Sequence, residues 1–157
     1  MYELDRPMTC SIGRAMEILG ERWTFLILRE SFYGVRRFSD IQRNLGIARN
    51  ILSTRLQTLV GAGILVRVLY QEEPERYEYR LSQAGKDLYP AIVTLMRWGD
   101  KHLSGELGPP VLLRHNPCGH IAEPTLVCSH CREELDPHEV TPERSDVTEG
   151  ASPLTEA

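Results

Sequence analysis

The most constraining feature of this sequence is a helix–turn–helix pattern that is followed at once by a β-hairpin pattern. The apolar spacing predicts a short helix over residues 39–45 and a second helix over residues 49–62, with Gly46 in the turn between them. Two stretches rich in β-branched and aromatic residues, 64–70 and 77–81, then predict a pair of strands. This order of elements predicts a winged helix-turn-helix, a mainly α fold with a small β wing.

Three further helices are expected to complete this fold. Residues 11–20 and 22–33 both have helical apolar spacing, and the second stretch is apolar over so much of its circumference that we expect it at the centre of the core. A long helix is predicted over residues 84–103, with a kink near Pro90 because proline lacks a backbone N–H. The expected N-caps of the predicted helices are Ser11, Ser39 and Ser82.

The charge is distributed unevenly along the chain. The net charge of the 157 residues is −4, but residues 1–104 hold 15 Lys and Arg against 12 Asp and Glu, whereas residues 105–157 hold 3 against 10. Between Arg36 and Arg67 there are six arginines and one acidic residue, Asp40. Because the local field attracts phosphate, this stretch favours an anionic polymer as partner. A solvated arginine-rich surface would have the same composition.

The helix predicted over residues 49–62 has an apolar face and a polar face. The apolar residues expected to hold it on the core are Ile51, Leu52, Leu56, Leu59 and Val60. The opposite side carries side chains that can donate and accept at base edges in the major groove, namely Arg49, Asn50, Ser53, Thr54 and Gln57. The first four are the strongest candidates for base contact, because the start of such a helix normally enters the groove. Arg55 is expected to pair within the domain.

Further arginines are expected to contact the DNA backbone rather than the bases. They are Arg36, Arg37 and Arg43, before or on the first helix of the pair, and Arg67 and Arg76 in the wing. The wing loop contains Glu72, Glu73 and Glu75, and acidic groups repel phosphate, so we expect little contact from its tip. Double-stranded DNA is therefore the predicted partner.

Several separate motifs between residues 10 and 99 resemble the HxlR family of winged-helix regulators, which are related to the MarR type. The matching residues are Cys10, Leu19-Gly20-Glu21-Arg22-Trp23-Thr24, Leu26-Ile27-Leu28-Arg29, Arg37-Phe38-Ser39-Asp40-Ile41, Gly46-Ile47, Leu52-Ser53-Thr54-Arg55-Leu56, Gly63-Ile64-Leu65, Pro74-Glu75-Arg76-Tyr77-Glu78-Tyr79, Leu81-Ser82, Gly85 and Trp98-Gly99. One departure is Ala48, where relatives usually have a serine that caps the recognition helix, so we expect a weaker cap here.

This resemblance implies a transcription regulator that binds a two-fold related operator as a homodimer, and we expect it to be a repressor and not an enzyme. The two recognition helices would lie ~34 Å apart, one turn of duplex DNA. The family's dimer is built from the first helix and the long last helix. The last helix carries more apolar residues than a small core needs, namely Leu88, Ile92, Leu95, Met96 and Trp98.

The resemblance also makes Cys10 a candidate redox sensor, because some family members use a cysteine at this position to sense oxidants, quinones or aldehydes. A cysteine near a helix N-terminus and beside Arg14 is favoured to react as thiolate. Oxidation would form an intersubunit disulfide or an adduct with a small thiol. A small buried core cysteine is the alternative interpretation.

The C-terminal part of the chain contains a second motif, with Cys and His at the spacing of metal ligands. His-x2-Cys and Cys-x2-Cys each let two ligands approach one tetrahedral ion, and we predict structural Zn²⁺ held by His115, Cys118, Cys128 and Cys131. His120 is the alternative to His115, and His130 is a weaker one. Residues 121–127 are expected to form a hairpin between the two turns of a zinc ribbon. A redox-active Cys128–Cys131 pair and inert thiols are the competing interpretations.

These patterns predict four segments: a winged helix-turn-helix and dimerisation domain (1–104), a linker (105–111), a zinc-ribbon-like module (112–136) and a disordered acidic tail (137–157). No run of 18 apolar residues exists and residues 1–7 are polar, so we expect a cytoplasmic protein without membrane contact. A zinc enzyme is disfavoured, because the cluster lacks an open coordination position. A zinc-stabilised winged-helix module for protein contact, without specific DNA readout, is the main alternative function.

Overall fold

The computed structural model describes residues 10–143, so the expectations for residues 1–7 and for 144–157 of the tail lie outside the described residues. The helices are α1 (Ser11–Leu19), α2 (Arg22–Phe32), α3 (Phe38–Leu45), α4 (Arg49–Gly61), α5 (Gln83–Lys86), α6 (Tyr89–Leu103) and a 3-10 helix (Gly105–Leu107). The strands are β1 (Leu65–Gln71), β2 (Arg76–Leu81), β3 (Arg114–His115) and β4 (His120–Ile121). The chain divides into two compact units between Ile92 and Val93.

Helix α2 lies at the centre of the core of the first unit. Ile27 and Leu28 on this helix are completely buried. The buried side chains that form the same cluster are Leu19, Ile41, Ile47, Leu52, Leu56, Leu59, Ile64 and Leu65. The expectation that residues 22–33 form the buried centre is therefore confirmed, and the packing of α3 and α4 on α2 fixes the angle of the helix–turn–helix.

A buried carboxylate, which the sequence did not reveal, links α2 to α3. Glu30 is 5% exposed. It accepts a hydrogen bond of 2.7 Å from Arg29 on its own helix and one of 2.7 Å from the amide of Asn44 on α3. Both carboxylate oxygens thus have a donor, as a buried charge requires.

Two of the three expected N-caps are wrong. Cys10 and Arg37 occupy the cap positions of α1 and α3, and neither makes a side-chain capping bond. Their carbonyls already accept helical hydrogen bonds, from Arg14 at 3.0 Å and from Ile41 at 3.0 Å, so the cap lies one residue earlier than predicted in α1 and two residues earlier in α3. The third cap, Ser82, is confirmed, because its Oγ accepts from the N–H of Gly85 at 3.0 Å.

The helix expected over residues 84–103 is two helices, α5 and α6. Helix α5 ends at Lys86, four residues before Pro90. Proline has no N–H to donate to the Lys86 carbonyl, so a continuous helix cannot form here. Pro90 instead occupies the first turn of α6, where a missing N–H costs no intrahelical hydrogen bond.

The wing consists of β1 and β2 in antiparallel pairing, with Leu65 opposite Leu81 and Arg67 opposite Tyr79. A third segment, not predicted from the sequence, joins its edge just before α3. Arg37 forms an isolated antiparallel bridge with Glu78, and the N–H of Tyr79 donates to the carbonyl of Arg36 over 2.8 Å. The arginines that precede α3 are therefore anchored to the wing.

The second unit contains the end of α6 and two small strand pairs. β3 pairs with β4, and Val127 forms an isolated bridge with Glu134. The hairpin expected over 121–127 is not formed, because each strand pair closes across a Cys-containing turn instead of between the two turns. Residues 137–139, expected to be disordered, form a turn in which Glu139 N–H donates to the carbonyl of Asp136. Within residues 10–143, no helix has the length and apolarity needed to cross a bilayer.

Candidate nucleic-acid interface

Helix α4 presents its predicted polar face to solvent. Arg49, Asn50, Thr54 and Gln57 are exposed and Ser53 is half-buried. Leu52, Leu56 and Leu59 are buried on the opposite side, as expected. The expectation that Ile51 packs into the core is wrong, because 39% of it is exposed at the edge of the polar face.

The polar side chains of α4 differ in how free they are to bind a base. The hydroxyl of Thr54 donates to the carbonyl of Asn50 over 3.0 Å, so it remains available only as an acceptor. The side-chain amides of Asn50 and Gln57 have no hydrogen-bond partner within residues 10–143. An amide with a free donor and a free acceptor matches the two groups that adenine presents in the major groove.

Three of the predicted DNA-contacting arginines lie over aromatic rings. The guanidinium carbon of Arg37 is 4.6 Å from the ring centroid of Tyr70, that of Arg67 is 3.5 Å from Tyr77, and that of Arg49 is 5.7 Å from Phe38. A cation over a ring face is attracted by the ring quadrupole, so these contacts restrict where each guanidinium can point. Strand periodicity alone does not show which arginine meets which ring, so this role of the rings cannot be predicted from the sequence.

The arginines before and on α3 line one shallow cleft of about 390 Å³ together with Asp40 and Glu78. Asp40 pairs with Arg43 over 2.6 Å, which neutralises much of that arginine's charge. Glu78 pairs with Arg80. Arg36 and Arg37 make no ion pair in the described part of the chain, so they are better placed than Arg43 to meet phosphate.

A second cleft, of about 460 Å³, lies between the start of α2 and the exposed side of α4. Arg22 lines it, with its guanidinium 5.0 Å from the ring centroid of Trp23, and so does Asn50. Arg55 lies 3.9 Å from Glu21, which supports its expected pairing within the domain. Arg22 lies outside the arginine-rich stretch, so charge counting did not identify it as a candidate phosphate contact.

The wing loop is acidic and internally bonded. The hydroxyl of Tyr77 donates to Glu75 over 2.8 Å, and this hydrogen bond raises the pKa of Tyr77, so the tyrosine stays neutral. Gln71 donates to the carbonyl of Glu73 over 2.9 Å. Arg76 is exposed at the base of the loop. The positive charge of the wing therefore lies on its strands and not at its tip.

The remaining candidate residues lie at two other places. Cys10 is exposed at the N-terminal end of α1, and the guanidinium of Arg14 contacts the hydroxyl of Ser11 at 3.4 Å. The structure brings His115 beside Cys118, and Cys128 beside Cys131. It does not gather three or more His, Cys, Asp or Glu residues around one point within residues 10–143.

Comparisons with known proteins agree with this architecture. An uncharacterized HTH-type transcriptional regulator of Mycobacterium tuberculosis is 58% identical over 133 residues, which cover 85% of this chain and 84% of that protein. The crystal structure of PA1607, described as a candidate transcription factor, superposes with a TM-score of 0.80 at 31% identity, covering 87% of this chain and 96% of that one. Both matches are too long to be confined to the winged helix-turn-helix, so they include part of residues 105–143.

A shorter match is the redox regulator HypR in its reduced form, with a TM-score of 0.55 at 25% identity, covering 59% of this chain and 92% of that one. The HxlR-like helix-turn-helix family matches residues 18–106, which hold α2 to α6 and the wing. The chain belongs to the HxlR-like helix-turn-helix family.

Proposed function

We propose that this protein is a DNA-binding transcription regulator that represses promoters by binding a two-fold operator as a homodimer. The observation that carries the proposal is the exposed face of α4, where the amides of Asn50 and Gln57 have no partner within the described residues. Arg49 on this face and Arg37 before α3 carry positive charge, and each lies over an aromatic ring. Base reading and phosphate contact both require such an arrangement.

The homodimer is supported by apolar side chains that two helices expose. On α1, Ile12 is 72% exposed and Met16 is exposed as well. On α6, Leu95, Trp98 and Leu103 are at least half exposed, whereas Leu88 and Ile92, also expected at the interface, lie against the core. Helices of a stable monomer do not usually expose so many large apolar residues, so a second copy is the expected partner of each of these helices.

Footprinting on the DNA upstream of the protein's own gene tests the proposal. We expect protection of an inverted repeat whose half-sites are one helical turn apart, with affinity that falls steeply between two salt concentrations because phosphate contacts release counterions. Absence of any protected repeat, together with absence of salt-dependent binding to duplex DNA, would favour the alternative of a winged-helix module for protein contact.

Cys10 is proposed as the sensor through which oxidants or electrophiles release the operator. Its exposure makes the thiol accessible, and the redox regulator HypR has a similar fold. In the oxidised form the thiol loses its proton and forms a disulfide with Cys10 of a second copy or with a small thiol, while the oxidant accepts two electrons.

A Cys10→Ser variant tests this sensor role. We expect it to bind the operator normally and to remain bound after treatment with peroxide or a quinone, whereas the unmodified protein is released. A Ser11→Ala variant, changed at the exposed neighbour of Cys10, is treated in the same way as the matched control and should still be released. Release of the Cys10→Ser protein by the same dose would contradict the role assigned to Cys10.

A further inference from the structure

Two turns in the second unit share one backbone geometry. In the first, the N–H of Gly119 donates to the carbonyl of His115 over 2.7 Å, and in the second, the N–H of Arg132 donates to the carbonyl of Cys128 over 3.0 Å. Both turns end on a residue with positive φ, +73° at Gly119 and +68° at Arg132. Among residues 10–143, Arg132 is the one residue other than glycine with this conformation, which side chains disfavour. The same turn is thus built twice from different sequences.

Each turn brings two metal-binding side chains together. The Nδ1 atom of His115 is 3.2 Å from the Sγ atom of Cys118. Two ligands of a tetrahedral zinc ion lie about 3.6 Å apart when the Zn–N and Zn–S bonds have their usual lengths. In the second turn, the backbone N–H groups of Cys131 and His130 donate to the sulfur of Cys128, which lies beside Cys131. In both turns the two side chains are three residues apart, a spacing that lets them approach one ion.

The segment that carries these turns has no apolar core of its own. Within residues 111–143 no side chain is fully buried, and large apolar residues such as Leu112, Leu126 and Leu135 are well exposed. The strand pairs here are only one or two residues long. A module this small needs another source of folding free energy, and a bound metal is the usual one.

We propose that His115, Cys118, Cys128 and Cys131 together bind one structural Zn²⁺ ion. The two ligand pairs are separate in the structure, so the ion would draw the two turns together about the connecting residues 122–126, which contain no helix or strand. Binding removes one proton from each of the three cysteines and leaves the imidazole neutral. Four nitrogen and sulfur ligands leave no open coordination position, which makes the site structural and not catalytic.

His120 is the competing nitrogen ligand. It lies directly opposite His115 in the pairing of β3 with β4, and directly opposite residues of a strand pair point to the same face. We favour His115 as the nitrogen ligand because it belongs to the repeated turn and already contacts Cys118. Separate His115→Ala and His120→Ala variants distinguish the two.

The ion would also fix how residues 111–143, the C-terminal extension, pack on α6. The guanidinium of Arg97 on α6 donates to the carbonyl of Pro124, and α6 and the extension line an apolar groove of about 350 Å³. Leu113 and Ala122, which are hydrogen-bonded to each other at the base of the first turn, belong to this groove. Loss of the metal is therefore expected to loosen the extension from α6.

Metal analysis of the full chain, purified without chelator, tests the proposal. We expect about one zinc ion per protomer. After exchange for Co²⁺, the absorption spectrum should show the intense ligand-field bands of tetrahedral cobalt and a sulfur-to-metal charge-transfer band. Removal of the metal with a chelator should make residues 105–143 sensitive to protease while residues 10–104 stay resistant.

Single variants decide which residues bind the ion. Cys118→Ser, Cys128→Ser, Cys131→Ser and His115→Ala should each lose most of the zinc, whereas Cys10→Ser, His120→Ala and His138→Ala should keep it. Far-ultraviolet circular dichroism, which should be unchanged in all of them, separates metal loss from global unfolding. Zinc-free protein, a cobalt spectrum without the charge-transfer band, or full zinc in the Cys128→Ser variant would overturn the proposal.

Discussion

Replacing Arg49 and Asn50 together by alanine is expected to abolish specific operator binding while leaving weak, non-specific DNA binding in place. Both side chains are exposed on the first turn of α4, the part of a recognition helix that lies deepest in the groove. A good bidentate base contact is worth about 1–3 kcal/mol, so two lost contacts correspond to a loss of roughly 30-fold to 10⁴-fold in operator affinity. Fluorescence anisotropy with operator and scrambled duplexes at several salt concentrations measures both the specific and the non-specific affinity.

Single variants and a charge-matched control separate the loss of base contacts from the loss of positive charge. Asn50→Ala removes no charge, so it should reduce the preference for operator over scrambled DNA without changing the salt dependence. Lys86→Ala removes one positive charge from exposed α5 and should leave operator preference intact. If the double variant discriminated between operator and scrambled duplex as well as the unmodified protein does, α4 would not be the reading helix.

Replacing Gly85 by alanine is expected to lower the free energy of unfolding by about 2 kcal/mol. A Cβ atom at this position would lie 2.2 Å from the carbonyl oxygen of Ile64 and 3.0 Å from a methyl group of Leu81. The Ile64 carbonyl also accepts from the N–H of Ser82, so it cannot move without disturbing the junction of β2 and α5. Alanine is favoured over glycine in a helix by about 1 kcal/mol, which is smaller than the cost of the overlap.

Gly61 provides a matched control for the same chemical change. It is the last residue of α4, it is exposed, and a Cβ atom there would meet nothing within 4 Å. Gly61→Ala should therefore leave stability unchanged or raise it by about 0.5–1 kcal/mol, because only helix propensity acts. Urea denaturation should therefore show a loss of stability in Gly85→Ala and none in Gly61→Ala. Equal effects would show that the close approach at Gly85 is relieved by backbone movement.

The order of elements in the first unit could be predicted from the sequence, because apolar periodicity and turn residues act over a few neighbouring positions. Residues 22–33 were recognised as the central helix for this reason, and the wing strands were placed within about a residue of their observed bounds. The N-caps at Ser11 and Ser39 were not predictable, since a helix can begin one or two residues earlier whenever a preceding carbonyl is well placed. At Pro90 the sequence predicts a kink, but a kink and a complete break have the same local pattern, so the end of α5 at Lys86 could not be foreseen.

The candidate site was predictable in composition but not in arrangement. The polar face of α4 follows from helical geometry, so its exposure could be foreseen from the positions of Leu52 and Leu56. The pairing of Arg43 with Asp40 and the position of Arg22 beside Asn50 depend on how α2, α3 and α4 pack. Contacts between elements are set by tertiary packing, which local patterns do not encode.

The rings beneath Arg37, Arg49 and Arg67 have a consequence for the thermodynamics of DNA binding. A free arginine side chain loses up to about 2 kcal/mol of conformational entropy when it is fixed against a phosphate. Because Tyr70, Phe38 and Tyr77 already limit the rotamers of these arginines in the unbound protein, less entropy remains to be lost on binding. Removing a ring, as in Tyr70→Ala, would therefore weaken affinity through a less favourable binding entropy, although the charge of every arginine is retained.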